Sequence, residues 1–175
     1  MAAIGGIGLP ESKPCLDALV KLISEAKPKC DSQVKCMAVW AVGRLASLEA
    51  IQKCRKVIVQ CLTDPFYKVR STACCTLVQF GKCPDCHTPE FQQLANAVLP
   101  SLEKLLRDGQ MNKQAVAETV TMMGPLGEQI LVKLCKGLQQ TDLKLKCSIL
   151  RAFALANVDS PSIDFVLEVL LKAAK

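Results

Sequence analysis

The chain has 175 residues, of which half are apolar and 4% are aromatic, and its formal net charge is +6. A mean hydropathy of +0.25 excludes an intrinsically disordered chain. No apolar run approaches the roughly 20 residues that a membrane-spanning helix needs. The scarcity of aromatic residues favours packed helices over a β-sandwich or barrel.

Residues 1–13 are rich in Gly and Pro, and they lack the basic segment and long apolar stretch of a secretory signal. We therefore predict a flexible N-terminal arm. Eleven cysteines without such a signal indicate a reducing, cytoplasmic environment, and an odd number argues against a complete disulfide framework. Five cysteines lie within helical apolar patterns, where a thiol packs as a small apolar group: Cys36, Cys61, Cys74, Cys135 and Cys147.

Apolar residues at helical spacing predict nine helices, separated by connections that contain Pro, Gly, Asp or Asn. The predicted helices cover residues 14–26, 32–47, 49–62, 66–80, 89–107, 111–123, 127–140, 142–156 and 161–174. No segment alternates with period two for long enough to predict a strand. Many helices of similar length with short connections indicate helical hairpins.

The clearest hairpin unit covers residues 62–81. One apolar helix ends at Leu62, and we predict that Asp64 and Pro65 turn the chain and begin the next helix, which Gly81 ends. Asp is suited to a helix start, Pro to the first turn, and Gly to the left-handed conformation after a helix. The apolar stripe of the second helix is Val69, Ala73, Leu77 and Phe80.

Three further copies of this stripe lie 35 residues earlier and 43 and 76 residues later. Their members are Val34, Ala38, Val42 and Leu45; Val116, Val120 and Met123; and Leu145, Ile149, Phe153 and Ala156. Gly124 and Asn157 stand where Gly81 stands, and both residue types tolerate a left-handed backbone. The third copy matches least well, because Asn112 replaces the equivalent of Val69.

The sequence resembles the HEAT repeats and the related armadillo repeats over about residues 14–175. The strongest part of the resemblance is Leu62-Thr-Asp-Pro-Phe-Tyr-Lys-Val-Arg70. It implies an all-α fold, a right-handed α-α superhelix (HEAT/armadillo-like solenoid) of about four and a half helical hairpins. We expect one repeat domain over residues 14–175, with the second helix of each hairpin on the concave face.

The last predicted helix is apolar on most of its faces. Its polar residues are Asp164, Glu168 and Lys172. Because the terminal repeat of a complete solenoid needs a polar outer face, we expect either a fragment of a longer repeat protein or a contact through this helix, with a partner or a second copy.

A cation follows the first stripe position in all four copies: Lys35, Arg70, Lys113 and Lys146. The resemblance implies that these cations pair with the turn aspartates Asp31, Asp64, Asp108 and Asp142 and so join successive repeats. Alternatively, together with Lys68, Lys144 and Arg151, they form a basic stripe on the concave face. Such a stripe would bind an acidic peptide or a phosphate backbone. The two interpretations are compatible.

The longer connection between the second and third repeats contains Cys83, Cys86 and His87, the last being the single histidine. The spacing matches c-type haem attachment, but that chemistry needs an export signal. A zinc site lacks a second ligand pair, and a redox dithiol lacks its βαβ context. The interpretation we favour is a surface loop with neither metal nor cofactor.

No phosphate-binding glycine motif or nucleophile–base arrangement is present, so we expect no enzymatic activity. Trp40 would be a binding anchor if it points outward, but a core position is the favoured interpretation. The predicted function is a non-catalytic scaffold for a protein partner with an acidic surface or peptide. Nucleic acid is the alternative ligand, and the sparse aromatics count against it.

Overall fold

The computed structural model describes residues 15–26, 31–83, 88–107, 111–124, 127–132 and 143–155, together with residues 164 and 168. The chain divides into two units, Met1–Ser101 and Leu102–Lys175. All regular structure in these described ranges is helical, as predicted. The predicted arm at residues 1–13 lies outside them.

The described helices are α1 (Leu16–Glu25), α2 (Ser32–Leu45), α3 (Leu48–Leu62), α4 (Tyr67–Gly81), α5 (Pro89–Arg107), α6 (Lys113–Thr121) and α7 (Leu143–Leu155). Residues 127–132 are also helical. We call α1, α3, α5 and residues 127–132 the first helices of successive hairpins, and α2, α4, α6 and α7 the second helices. Most of the ninth predicted helix lies outside the described residues, although Asp164 and Glu168 are helical and exposed.

In the first unit, α2 packs against α4, and α1 and α3 pack on this pair. The predicted stripe of α4 forms its core, since each of its four side chains is 0% exposed: Val69, Ala73, Leu77 and Phe80. Burial of a side chain such as Phe80 contributes roughly 1.5–3 kcal/mol. The apolar spacing in the sequence therefore identified the contact face of α4 correctly.

The stripe of α2 follows the prediction at three positions of four. Ala38, Val42 and Leu45 are buried, but Val34 is 44% exposed, so its assignment to the core was wrong. Val34 lies in the first turn of α2, where it lines a shallow pocket with Leu22, Glu25, Ala26 and Asp31. Helical spacing places Val34 on the apolar face, but at this end of the helix that face remains open.

Hydrogen bonds between neighbouring hairpins confirm the repeat. Lys53 Nζ donates to Asp17 Oδ1 across 36 residues. Arg55 Nη1 donates to Gln93 Oε1 across 38 residues. Thr76 Oγ1 donates to the carbonyl oxygen of Val39 across 37 residues. Each bond joins a helix to its equivalent one hairpin away.

The backbones of α2 and α4 approach each other closely at Gly43. A Cβ atom at Gly43 would lie 3.0 Å from Thr76 Oγ1 and 3.2 Å from Thr76 Cα. Because the second of these atoms belongs to the backbone, a rotamer change of Thr76 would not relieve the contact. Gly43 therefore sets how closely the two second helices pack.

In the second unit α6 packs against α7. The buried residues of this contact match the predicted stripes at Val116, Val120, Met123, Leu145 and Ile149. The side chain of Phe153, and Ala156 and Asn157, lie outside the described residues.

The structure explains the poor match of the third copy. Asn112 is the N-cap of α6, and its Oδ1 accepts hydrogen bonds from the backbone N–H groups of Gln114 and Ala115. The helix thus begins later in this repeat, and a capping residue occupies the position that is apolar in α4. After α6, Gly124 has a φ of +74°, which confirms its predicted left-handed conformation.

Two details of the turn before α4 differ from the prediction. Asp64 does not cap the helix, because α4 begins after Phe66; instead Asp64 Oδ1 accepts a hydrogen bond from the Phe66 N–H at 2.9 Å. Gly81 is the last residue of α4, and Lys82 is the C-cap. The carboxylate therefore stabilises the turn rather than the first turn of the helix.

Candidate functional site

The seven cations that the sequence singles out differ in burial. Two are buried: Arg70 is 7% exposed and Lys146 is 3% exposed. Two are half-buried: Lys35 and Lys113. Two are exposed: Lys68 and Arg151. The side chain of Lys144 lies outside the described residues. Burial thus separates cations that a ligand can reach from cations that are enclosed by the fold.

Lys35 and Asp64 form an ion pair between the first two repeats. The distance from Lys35 Nζ to Asp64 Oδ2 is 2.7 Å, and the two side chains are 12% and 3% exposed. This is the kind of pair that the resemblance to HEAT repeats implied for the turn aspartates. This shielded pair joins α2 to the turn before α4, and removal of one partner would leave the other charge shielded and unpaired.

The same turn is held by Arg70. Its Nη1 donates to the carbonyl oxygens of Asp64 and Pro65, at 2.9 Å and 3.0 Å. Together with the bond from the Phe66 N–H to Asp64, these contacts fix both the side chain and the backbone of the turn. We call Lys35, Asp64 and Arg70 the turn network.

The exposed face of α2 contains Gln33, Trp40 and Arg44, with Met37 half-buried between them. Trp40 is 40% exposed, so the interpretation of Trp40 as a core residue was wrong. Trp40 directly follows Val39, which is buried where α2 packs against α4. The equivalent of Trp40 on α4 is Cys75, which is also exposed. The two helices thus present one continuous exposed face.

This face has no carboxylate of its own. Neither α2 nor α4 contains an Asp or Glu, whereas together they carry four cations: Lys35, Arg44, Lys68 and Arg70. Helix α7 likewise has Lys and Arg but no acidic residue, whereas the second helix α6 contains Glu118. The first helices differ, since each of the three fully described ones carries at least one carboxylate: Asp17 and Glu25 on α1, Glu49 on α3, and Glu90 and Glu103 on α5.

A shallow pocket of about 270 Å³ opens where the first turn of α2 meets the start of α4. It is lined by Ser32, Gln33, Cys36, Phe66, Tyr67 and Lys68, and we call it the aromatic pocket. Phe66 and Tyr67 are 36% and 53% exposed. The turn network holds the backbone that carries these rings, because Asp64 Oδ1 accepts a hydrogen bond from the Phe66 N–H.

The cysteine-rich connection is described only at Cys83. This residue is buried, and its Sγ lies 3.0 Å from the carbonyl oxygen of Ala46, to which it donates a hydrogen bond. Cys86 and His87 lie outside the described residues. Within the part of the chain that the structure describes, no group of three metal-ligating side chains comes together, and no helix there is long and apolar enough to cross a bilayer.

No protein-family model and no curated protein sequence matches the chain. Among solved structures, it is similar to a designed armadillo repeat protein in complex with the peptide (KR)4, at 20% sequence identity and a TM-score of 0.52. The similarity covers 99% of this chain and 90% of the designed protein. The fold is therefore an armadillo-type helical repeat. The all-α solenoid that the sequence predicted is confirmed.

The sequence predicted the helical fold, but the predicted binding residues did not include the exposed aromatic residues of the candidate site. Trp40, Phe66 and Tyr67 were not among the predicted binding residues, although all three are exposed. One signal was present in the sequence: the second helices of the first unit lack carboxylates.

Proposed function

We propose that this armadillo-type repeat is a non-catalytic binding module for an acidic peptide segment, which it holds on the exposed face of α2 and α4. The observation that carries the proposal is the absence of Asp and Glu from these two helices, combined with the exposure of Lys68 and Arg44. A carboxylate that approaches this face meets cations on the second helices and no like charge from them.

The direct contacts assigned to the ligand are those of exposed cations. Lys68 is the exposed cation assigned in the first unit, and Arg151 is the one assigned in the second. Lys113, which is half-buried, and Lys144 remain predicted binding residues. Lys35, Arg70 and Lys146 are assigned an indirect role, because they are largely withdrawn from water. An exposed pair contributes about 0–1 kcal/mol, so several such contacts are needed for measurable affinity.

The designed armadillo protein supports a peptide as ligand, since its complex contains (KR)4. That peptide is basic, however, and the exposed face of α2 and α4 carries the same sign of charge. We therefore propose the opposite preference for this chain. Complementary charge mainly sets the rate of encounter and the choice of partner, and it is weakened by salt.

The test is a fluorescence anisotropy titration of the chain with labelled (DE)4 and (KR)4 peptides at low and high salt. We expect (DE)4 to bind more tightly, and its affinity to fall as salt rises. Preference for (KR)4 would contradict the proposal. Binding of a single-stranded oligonucleotide with a steep salt dependence, and no binding of (DE)4, would replace the peptide by a nucleic-acid ligand.

Two charge reversals localise the site. Lys68→Glu should weaken binding of (DE)4 by about tenfold, because it removes one attraction and adds one repulsion. Lys56→Glu is the matched control: Lys56 is also exposed, but it lies on the first helix α3. We expect it to change the affinity by less than about twofold. Equal losses in the two variants would show that binding follows net charge and not this face.

A further inference from the structure

Two exposed aromatic side chains of the first unit, Phe66 and Tyr67, line the same pocket. Among the described residues, the large apolar side chains that are exposed are Val34, Trp40, Phe66 and Tyr67. All of them belong to α2 or to the start of α4. Exposed aromatic residues on a fixed backbone are typical of binding sites, and Trp and Tyr are enriched among the residues that dominate binding energy.

The turn that carries Phe66 and Tyr67 is unusually well fixed. Asp64 is 3% exposed on its side chain, accepts from Lys35 Nζ at 2.7 Å and accepts from the Phe66 N–H at 2.9 Å. Arg70 holds the two carbonyl groups that precede Phe66. Because this backbone is already held in place, a ligand that binds here has little ordering entropy to lose in the turn.

The chemistry of the aromatic pocket specifies its occupant. Two aromatic rings provide an apolar contact surface, Lys68 provides one positive charge at the rim, and Ser32 and Gln33 provide neutral polar groups. None of the six lining residues is acidic. At about 270 Å³, the pocket lies below the roughly 300–1,000 Å³ of sites that enclose a small-molecule ligand. That size suits a single side chain.

We propose that the aromatic pocket binds one aromatic side chain of the acidic peptide, while Lys68 pairs with a carboxylate next to that side chain. This inference rests on the acidic-peptide function proposed above and adds a sequence requirement to it. The ring packs against Phe66 and Tyr67, since aromatic pairs prefer offset or edge-to-face contact. The preferred ligand is thus an extended segment in which an aromatic residue is flanked by Asp or Glu.

Lys35 acts on this site as a positioning residue. It makes no assigned contact with the peptide, but it holds Asp64, which in turn holds the backbone of Phe66. Replacement by Met should therefore weaken the aromatic contact, and replacement by Arg, which keeps the charge, should restore it. A purely electrostatic role in long-range attraction would instead reduce binding of all acidic peptides alike.

The experiment compares two acidic peptides of equal charge that differ in one central residue, Phe or Ala. Binding is followed by fluorescence anisotropy. We expect the Phe peptide to bind wild-type chain about tenfold more tightly. The variant Tyr67→Ala should lose this advantage while it retains the affinity for the Ala peptide. Lys68→Glu should weaken both peptides, and circular dichroism should show unchanged helicity for each variant.

Trp40→Ala is the matched control, because Trp40 is exposed on the same face but does not line the aromatic pocket. It should preserve the advantage of the Phe peptide. Loss of the advantage in Trp40→Ala but not in Tyr67→Ala would overturn the assignment to this pocket. Equal affinity of the wild type for both peptides would overturn the aromatic requirement and leave the acidic-peptide proposal standing. Binding of neither peptide would overturn both.

Discussion

Two ion pairs in the first unit have the same geometry and opposite surroundings. Lys53 Nζ on α3 lies 2.7 Å from Asp17 Oδ1 on α1, and Lys35 Nζ on α2 lies 2.7 Å from Asp64 Oδ2 in the turn before α4. The side chains of the former pair are 38% and 74% exposed, and those of the latter 12% and 3%. Distance alone therefore says little about what each pair contributes, and burial decides it.

The comparison extends from these pairs to the helices that carry them. On the first helices, cations and carboxylates are mixed. For example, side-chain hydrogen bonds of the exposed Lys53 to Asp17 and Glu49 raise the pKa of Lys53. On α2 and α4, which contain no Asp or Glu, Lys35 and Arg70 belong to the turn network, and Lys68 is exposed. Charges thus pair in solvent on the first helices, whereas Lys35 on α2 and Arg70 on α4 stabilise the turn before α4.

The largest effect is expected for the buried pair. Asp64→Ala should lower the free energy of unfolding by about 3–5 kcal/mol, because it leaves the charge of Lys35 enclosed without its carboxylate and removes the acceptor of the Phe66 N–H. Asp17→Ala, which breaks the exposed pair, should cost about 0–1 kcal/mol. Urea denaturation measures both values. Equal costs would refute the distinction between the two pairs.

A smaller effect is expected where the second helices touch. Gly43→Val should destabilise the first unit by about 1–3 kcal/mol, since the added carbon atoms meet the backbone of Thr76. Val forms helices better than Gly, so helix propensity does not explain a loss at Gly43. Gln52→Val, at an exposed position of α3, is the control for a Val on a helix surface and should cost about 0.5 kcal/mol. Thermal unfolding of both variants can be followed by circular dichroism. Equal unfolding midpoints for the two variants would contradict a close contact between Gly43 and Thr76.

In the second unit, substitution of Gly124 measures the free-energy cost of a left-handed backbone conformation. Its φ is +74°, and a Cβ atom there would meet no atom within 4 Å. Gly124→Ala should therefore cost about 1–2 kcal/mol through backbone strain alone. Asn tolerates the left-handed conformation better than Ala, so Gly124→Asn should cost less. The account of this turn fails if Ala proves as stable as Gly in chemical denaturation.

The next prediction concerns the reactivity of the cysteines. Burial raises the pKa values of Cys54 and Cys61, on α3, to about 12, whereas Cys75 and Cys147, on second helices, are exposed. At pH 8, Ellman's reagent should modify Cys75 and Cys147 in the folded chain, and Cys54 and Cys61 only after unfolding. Mass spectrometry of the modified peptides identifies them, and rapid modification of Cys54 would contradict its burial.

The same pKa values give a pH dependence with a definite sign. Between the ordinary thiol pKa of 9.0 and about 12, the unfolded chain releases protons that folded Cys54 and Cys61 retain. The free energy of unfolding should therefore decrease as pH rises above 9. Replacing both cysteines by Ala should flatten this decrease, and denaturation curves across the pH range would measure it.

Sequence spacing predicted the helices and most of their buried faces, because a helix must place its apolar residues on the side that packs. It could not decide the environment of long or amphipathic side chains. Arg70 and Lys146 are buried and Trp40 is exposed, each against the simplest interpretation of its type. The burial of Arg70, for example, depends on the carbonyl groups of the turn before α4, five and six residues earlier, which the apolar spacing of the helix does not reveal.

The most direct test of the binding face is an NMR titration of the isotope-labelled chain with the (DE)4 peptide. We expect the amide resonances of exposed positions on α2 and α4, including Trp40 and Lys68, to shift with the peptide concentration. Resonances of Lys53 and Lys56 on α3 should remain unchanged. Shifts confined to α3, or spread evenly over cations of first and second helices, would contradict a ligand face formed by the acid-free second helices.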